Sequence, residues 1–145
     1  MDISFGEMKK EDLGIRARAI LGVPEEILTD DIISSPVFLK RAESYINKQI
    51  KDYEDIDKDL IKIAYMYYIC YLLCPGMYAR LPKQMENVST KTILQSIDWD
   101  SKALEMLDMC NNTIDSAIED IGEDIGLGNS FAVLTDASEY PNTTI

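Results

Sequence analysis

The chain contains no histidine, and its three cysteines fit neither a disulfide framework nor a zinc site. Cys70 and Cys74 lie four residues apart within a helical pattern, and Cys110 lies far from both. Without an imidazole, a cysteine nucleophile lacks its usual general base and a tetrahedral metal site lacks a common ligand. We interpret the cysteines as small core residues rather than as a metal or redox pair.

Motifs for phosphate loops, dinucleotide binding, zinc proteases and EF-hand calcium loops are absent as well. Acidic pairs such as Asp30-Asp31 and Glu123-Asp124 could in principle bind a hard cation or act as acid and base, but adjacent residues rarely converge on one point. Gly126-Leu127-Gly128 fits a helix end and hinge better than a ligand loop. We therefore expect no catalytic residue, no metal, no cofactor and no enzymatic activity.

Positive charge is missing from the last third of the chain, because no Lys or Arg follows Lys102. With a net charge of −12, the chain lacks the Lys/Arg cluster that would grip nucleic acid or an anionic membrane. Such charge suits a protein that DNA slides past, a DNA mimic, or a protein that charge keeps soluble. The acidic residues of this region are Glu105, Asp108, Asp115, Glu119, Asp120, Glu123, Asp124, Asp136 and Glu139.

Long uninterrupted apolar runs are also missing. No stretch approaches the ~20 apolar residues that span a bilayer, and Met1 to Gly14 lacks the pattern of a signal peptide. The most apolar segment carries Lys62 and is expected to end at Pro75-Gly76 after roughly 16 residues. We therefore expect no membrane span and a chain made in the cytoplasm.

What is present is helical periodicity, which predicts an all-α fold: a small bundle of about four helices in one domain. The third predicted helix is apolar on almost all sides, which indicates the central and most buried element. The predicted helices are Lys9–Leu21, a helix from Ser35-Pro36 to about Tyr53, about Asp57–Cys74, and Asp98 to about Asp120.

Local signals predict where these helices begin and end. Gly22 is expected to end the first helix, and Asp30-Asp31 to cap a helical turn in the connector that follows. Ser35-Pro36 combines a capping hydroxyl with a proline suited to the first helical position. Asp98 is expected to cap the last helix, whose first turn places Trp99 in the core.

The segment from Met77 to Ile97 interrupts the helical pattern. Its alternating, partly β-branched residues predict a short β-like loop or hairpin between the last two helices. We single out four residues of this loop as candidate contact residues: Arg80, Lys83, Val88 and Lys91.

The end of the chain has too few apolar residues for a core of its own. We therefore divide the chain into a helical domain, 1–125, and an extended, flexible C-terminal tail, 126–145.

The order and spacing of several segments, rather than any single motif, resemble the head–tail connector (adaptor) proteins of tailed bacteriophages. The resemblance extends over roughly Leu13 to Ile121. After an N-terminal helix, the segments that carry it are Ile27–Ile33, Ser35–Glu43, Leu72–Pro75, Val88–Thr92 and Ile97–Ala103.

The resemblance implies a small helical bundle that forms a ring, commonly a dodecamer, beneath the portal protein of the filled capsid. It implies a structural virion protein of the neck, assembled in the host cytoplasm, that completes the head, extends the DNA channel and seats the stopper or tail. The C-terminal segment of that family generally reaches along the portal. On this basis a portal-binding arm would use Phe131, Val133, Leu134 and Tyr140. The four candidate contact residues of the Met77–Ile97 loop would face the channel or a tail partner.

Under this hypothesis, carboxylates that face the channel repel phosphates, so genomic DNA passes without specific binding. Two alternatives stay open: an acidic DNA-mimic inhibitor of a host DNA-binding enzyme, and another phage helical assembly factor. Mimicry requires carboxylates spaced like phosphates on a rigid face, whereas many acids here lie near glycines.

Overall fold

The computed structural model describes residues 5–6, 8–84 and 88–122, with side chains described through 81 and again over 92–118. The described residues form α-helices and contain no strand, so the predicted all-α class is confirmed. A single 3-10 turn, Cys74–Gly76, joins α4 to α5. The α-helices are α1 (Lys10–Leu21), α2 (Asp30–Ile33), α3 (Pro36–Ile50), α4 (Lys58–Leu73), α5 (Met77–Gln84), α6 (Val88–Gln95) and α7 (Trp99–Gly122).

Helix α4 is the centre of the bundle, as its apolar composition predicts, because α1, α3 and α7 all pack on it. The N–H of Asp57 donates to the carbonyl of Ala117 at 3.5 Å, so α7 ends beside the start of α4 and runs antiparallel to it. Ile63 is 40% exposed, so the helix is not covered on every side. Its buried residues are Ile61, Ala64, Tyr65, Met66, Ile69, Cys70 and Leu73.

Aromatic side chains attach α3 to this centre. The ring of Tyr45 on α3 stacks on Tyr68 of α4 with centroids 4.3 Å apart. The Tyr45 hydroxyl donates to Asn111 Oδ1 on α7 at 2.6 Å. One partly buried ring thus connects three helices, with its polar end satisfied by the third.

The main stop and start signals act as predicted. Gly22 adopts the left-handed conformation at φ 69°, and its N–H donates to the Arg18 carbonyl at 2.8 Å. Asp98 Oδ1 accepts the N–H groups of Asp100 and Ser101 at 3.1 and 3.2 Å. Hydrogen bonds from the Ser101 side chain and backbone hold the pKa of Asp98 below its usual range.

Two capping predictions are wrong. The Thr29 hydroxyl, rather than Asp30-Asp31, accepts the Ile32 N–H and caps α2. Both aspartates lie in the first turn of α2 and pair instead with Arg18 and Lys10 of α1. Pro36 opens α3 as predicted, but Ser35 at the N-cap makes no side-chain capping bond.

The predicted β-like loop between Met77 and Ile97 is also wrong, because this segment forms α5 and α6. Helix α4 ends at Leu73, as the Pro75-Gly76 signal predicts, but Pro75 lies in the first turn of the 3-10 helix, where its missing N–H costs nothing, so α5 follows directly. Helix propensities of β-branched residues differ from those of good helix formers by less than about 1 kcal/mol. Burial of Met77, Leu81 and Leu94 in the core outweighs that preference.

Helix α4 is 16 residues long, as expected, but the 3-10 turn and α5 continue it into a helical run of 24 residues from Lys58 to Leu81. By length and composition alone it could cross a membrane. However, 56% of its most apolar window is buried within the fold, and the central helix of a packed bundle passes the same test. The run is thus only a weak indication of a membrane span.

A partly buried ion pair joins α1 to α2. Arg18 Nη1 donates to Asp30 Oδ1 at 2.8 Å and to the Leu28 carbonyl at 3.0 Å. The Arg18 side chain is only 13% exposed, so the pair is partly shielded from water. Gly14 makes room for it, because a Cβ at this position would overlap the Asp30 carboxylate.

Replacing Gly14 with Ala should destabilise the protein by about 1–3 kcal/mol, because displacing Asp30 leaves Arg18 without its partner. Thermal or chemical denaturation measures this effect. Gly76→Ala is the matched control: its Cβ would meet only Arg80 Nη1 at 2.5 Å, the tip of a flexible side chain that can move away. Equal stability changes for the two variants would contradict the close approach at Gly14.

Trp99 holds the start of α7 against α5 and α6. The side chain is fully buried, as its position in the sequence predicts. Its Nε1–H donates to the Leu94 carbonyl at 3.2 Å, and its backbone N–H donates to the Tyr78 hydroxyl at 2.9 Å. One residue thereby connects the ends of three helices.

Trp99→Ala should lower the free energy of unfolding by about 3–5 kcal/mol, because it leaves a large cavity in the core. Trp99→Phe keeps much of the ring but loses the bond to Leu94, so a smaller loss is expected. Denaturant titration followed by circular dichroism measures both. An unchanged midpoint for Trp99→Ala would show that the ring does not contribute to the core.

Candidate functional site

The side of α7 that faces away from α4 forms a continuous acidic surface. Residues at steps of three and four recur on this side, whereas Met106, Cys110 and Ile114 point into the core. We call this surface the acidic face; it consists of Leu104, Glu105, Asp108, Asn112 and Asp115, all exposed.

The charges of the acidic face are almost all negative. Lys102 lies at its edge and approaches Glu105 at 3.8 Å, and no Lys or Arg follows it in the sequence. The carboxylates from Glu105 to Asp115 extend over about 15 Å of helix. Leu104 is 63% exposed among them, so the acidic face also presents an apolar side chain.

A cleft with an excess of positive charge lies on another side of the bundle, between α1 and α4. We call it the basic cleft; its volume is about 360 Å³. Both α1 and α7 pack on α4, and neither is a main packing partner of the other in the described bundle. The residues that line the basic cleft are Met8, Lys9, Asp12, Arg16 and Lys62.

Exposed apolar residues neighbour the basic cleft in the sequence. Ile15 precedes Arg16 and is 61% exposed, and Ile63 follows Lys62 and is 40% exposed. Both isoleucines are exposed to solvent and do not belong to the core of the bundle. Both charged surfaces therefore have apolar residues on or beside them.

The cysteines belong to the core, which confirms the interpretation from the sequence. Cys70, Cys74 and Cys110 are buried and form no disulfide. Burial raises the pKa of the Cys74 thiol to about 11 and that of Cys110 to about 12, and it raises that of Cys70 further. All three thiols are neutral at physiological pH and unsuited to nucleophilic chemistry.

No group of His, Cys, Asp or Glu that could hold a metal ion occurs among the described residues. A smaller cavity of about 120 Å³ lies beneath the N-terminal segment. There Phe5 stacks on Tyr65 with centroids 4.0 Å apart, and its N–H donates to Glu43 Oε2 at 3.1 Å. The side chains around this cavity dock the N-terminal segment on α3 and α4.

The structure changes the setting of the residues assigned to the loop. Arg80 and Lys83 lie on α5, and Val88 and Lys91 lie on α6, so none of them is in a β-like loop. Of these four, Arg80 alone has a described side chain, which extends past Gly76. The predicted arm residues Phe131, Val133, Leu134 and Tyr140 lie outside the described residues.

Sequence reasoning missed the basic cleft. Lys9, Asp12 and Arg16 do recur at helical spacing, which predicts a shared side of α1. Lys62 is distant in the sequence, where it only interrupts an apolar helix. Its approach to the others depends on how α1 packs on α4, which periodicity does not predict.

No family model, no curated protein and no solved structure matches this chain.

Raising the pH from about 9 towards 11 should progressively destabilise the fold. The folded state raises the pKa of each thiol above its unfolded value of about 9, so the stabilisation is complete below pH 9 and is lost above it. Each thiol contributes up to about 1.4 kcal/mol per pH unit. Urea denaturation midpoints, measured across this pH range with reductant present, should fall as this stability is lost.

Cys110→Ala provides the matched control, because it removes one titrating thiol at the cost of a small cavity. Its midpoint should start lower but fall less steeply above pH 9 than that of the unmodified protein. Burial raises the pKa of Tyr65 to about 12, so in both proteins the titration of Tyr65 adds to the fall of the urea midpoint with pH. Parallel curves for the two proteins would contradict a contribution from the Cys110 thiol.

Proposed function

We propose that this chain is a head–tail connector of a tailed bacteriophage. In this role it is a structural, non-enzymatic virion protein of the neck that forms a ring with copies of itself. The ring docks under the portal protein, extends the DNA channel and offers a seat for the stopper or tail completion protein. Genomic DNA passes through it without specific binding.

The observation that carries the proposal is the separation of charge onto different sides of one small bundle. The acidic face of α7 and the basic cleft of α1 and α4 are complementary surfaces on one subunit. A protein whose two different surfaces fit each other can repeat the same contact around a closed ring. This arrangement supports a ring-forming component, and the order of segments from Leu13 to Ile121 supports the connector family in particular.

The overall charge fits a channel through which DNA must slide. At a net charge of −12, each subunit carries 26 carboxylates against 14 cations, so a ring of subunits is anionic overall. Phosphates are repelled by such a wall, within the roughly 8–10 Å reach of electrostatic interactions in ordinary salt. The proposed channel thus guides DNA without holding it.

The charge density of α7 weighs against the DNA-mimic alternative. The sequence of α7 places Asp100, Glu105, Asp108, Asp115 and Glu119-Asp120 along a helix of about 36 Å. That is roughly one charge every 6 Å, against one every ~1.7 Å of duplex DNA. A protein that competes with DNA for a basic groove would need a charge density several times higher.

Localisation in the virion tests the proposal directly. Antibody against this chain should label a single vertex of phage heads. Electron microscopy of heads from a strain lacking the gene should show capsids that carry no tail and lose their packaged DNA. Supplying the purified protein should restore tail attachment. Virions that lack the chain, or complete tailed virions formed without it, would refute the proposal.

Deleting Gly128 to Ile145 should abolish incorporation into heads while changing the melting temperature little. The segment is poor in apolar residues and thus offers little to a core, whereas Phe131, Val133, Leu134 and Tyr140 could bind a portal surface. A ring multiplies such a modest contact by its number of subunits. Cofractionation of the truncated protein with heads measures incorporation.

Phe131→Ala combined with Tyr140→Ala is the milder variant and should weaken incorporation without truncating the chain. Normal assembly of the truncated protein would exclude the arm. The portal contact would then lie in the bundle or between Met77 and Ile97.

A further inference from the structure

The acidic face and the basic cleft are two charged surfaces on different sides of the bundle, and they carry opposite charge. We propose that the basic cleft binds the acidic face of α7 from a second copy of this chain, so that copies join head to tail. The inference rests on the proposed ring of identical subunits and names the surfaces that join neighbours.

The charges fit this occupant. Lys9, Arg16 and Lys62 outnumber the one aspartate of the basic cleft, Asp12. The acidic face presents carboxylates with Lys102 only at its edge. Opposed charges on an interface contribute modestly to affinity when exposed, but they determine orientation and reject wrong partners.

Exposed apolar side chains on or near these charged surfaces would become buried when two copies associate. On the acidic face Leu104 is 63% exposed, and next to the cleft residues Ile15 and Ile63 are 61% and 40% exposed. Covering such side chains removes apolar surface from water, which is the main driving force of association. A contact with apolar residues among complementary charges resembles a stable protein interface.

The occupant is a second copy rather than the same chain. The acidic face points away from α4, whereas the basic cleft is formed by α1 and α4 themselves, so one rigid bundle cannot bring its own two surfaces together. A symmetric pairing of two acidic faces would place like charges opposite each other. Two different surfaces on different sides of the bundle therefore meet, and repetition of this head-to-tail contact produces a ring or a filament.

Zero-length cross-linking between carboxylates and amines tests the contact on the full-length protein. An equimolar mixture of ¹⁵N-labelled and unlabelled protein, at high concentration, should yield cross-links of mixed isotope between Lys9 or Lys62 and Glu105 or Asp108. Lys102 and Glu105, 3.8 Å apart in one chain, provide an internal control that reports single-isotope links. Absence of mixed links between the two surfaces, with the control link present, would overturn the inference.

Charge reversal gives an independent test by sedimentation velocity. Reversing the cleft (Arg16→Glu with Lys62→Glu) or the face (Glu105→Lys with Asp108→Lys) should each weaken self-association roughly tenfold or more. An equimolar mixture of the two variants should associate again, because each reversed surface then meets its complement. Misfolding cannot explain such recovery, and failure of the mixture to associate more strongly than either variant would contradict the pairing.

Glu26→Lys combined with Lys48→Glu is the matched control, because both residues are exposed and lie outside the two surfaces. This variant should associate like the unmodified protein. The outcomes also separate the two levels of the hypothesis. Head-to-tail links in a chain that is absent from virions would refute the connector role alone, whereas a connector that assembles without these links would refute the interface alone.

Discussion

Everything in this bundle depends on the burial of α4. Because α1, α3 and α7 pack on it from different directions, one apolar helix provides the core that all the others share. The charged surfaces are consequences of this arrangement, since each outer helix must direct its polar side outward once its apolar side meets α4. The position of the basic cleft and of the acidic face thus follows from which helices flank the centre.

The proposed contact between copies and the proposed passage of DNA make opposite demands on charge. Binding a neighbour requires cations, whereas a channel wall is best without them. In a head-to-tail ring Lys9, Arg16 and Lys62 would be covered in the joints between subunits. Glu105, Asp108 and Asp115 of the acidic face would be covered in the same joints, so the remaining exposed surface would keep its excess of negative charge. The cations of the basic cleft would no longer face DNA, so one contact would satisfy both demands.

Sequence periodicity predicted the fold class, the central helix and the buried Trp99, because these follow from strong apolar patterns that few alternative packings satisfy. It failed between Met77 and Ile97, where weak β-branched alternation was outweighed by the burial of Met77, Leu81 and Leu94. The carboxylates of the acidic face were foreseeable from the missing cations after Lys102. The basic cleft was not, because it joins residues that only tertiary packing brings together.

The burial of Trp99 has a practical consequence for optical experiments. It is the only tryptophan, and it lies where α5, α6 and α7 meet, well inside the bundle. Its fluorescence therefore reports on one junction without any label. An emission maximum at short wavelength that shifts to the red on unfolding would follow the core directly, whereas surface-to-surface assembly of intact subunits would leave the spectrum nearly unchanged.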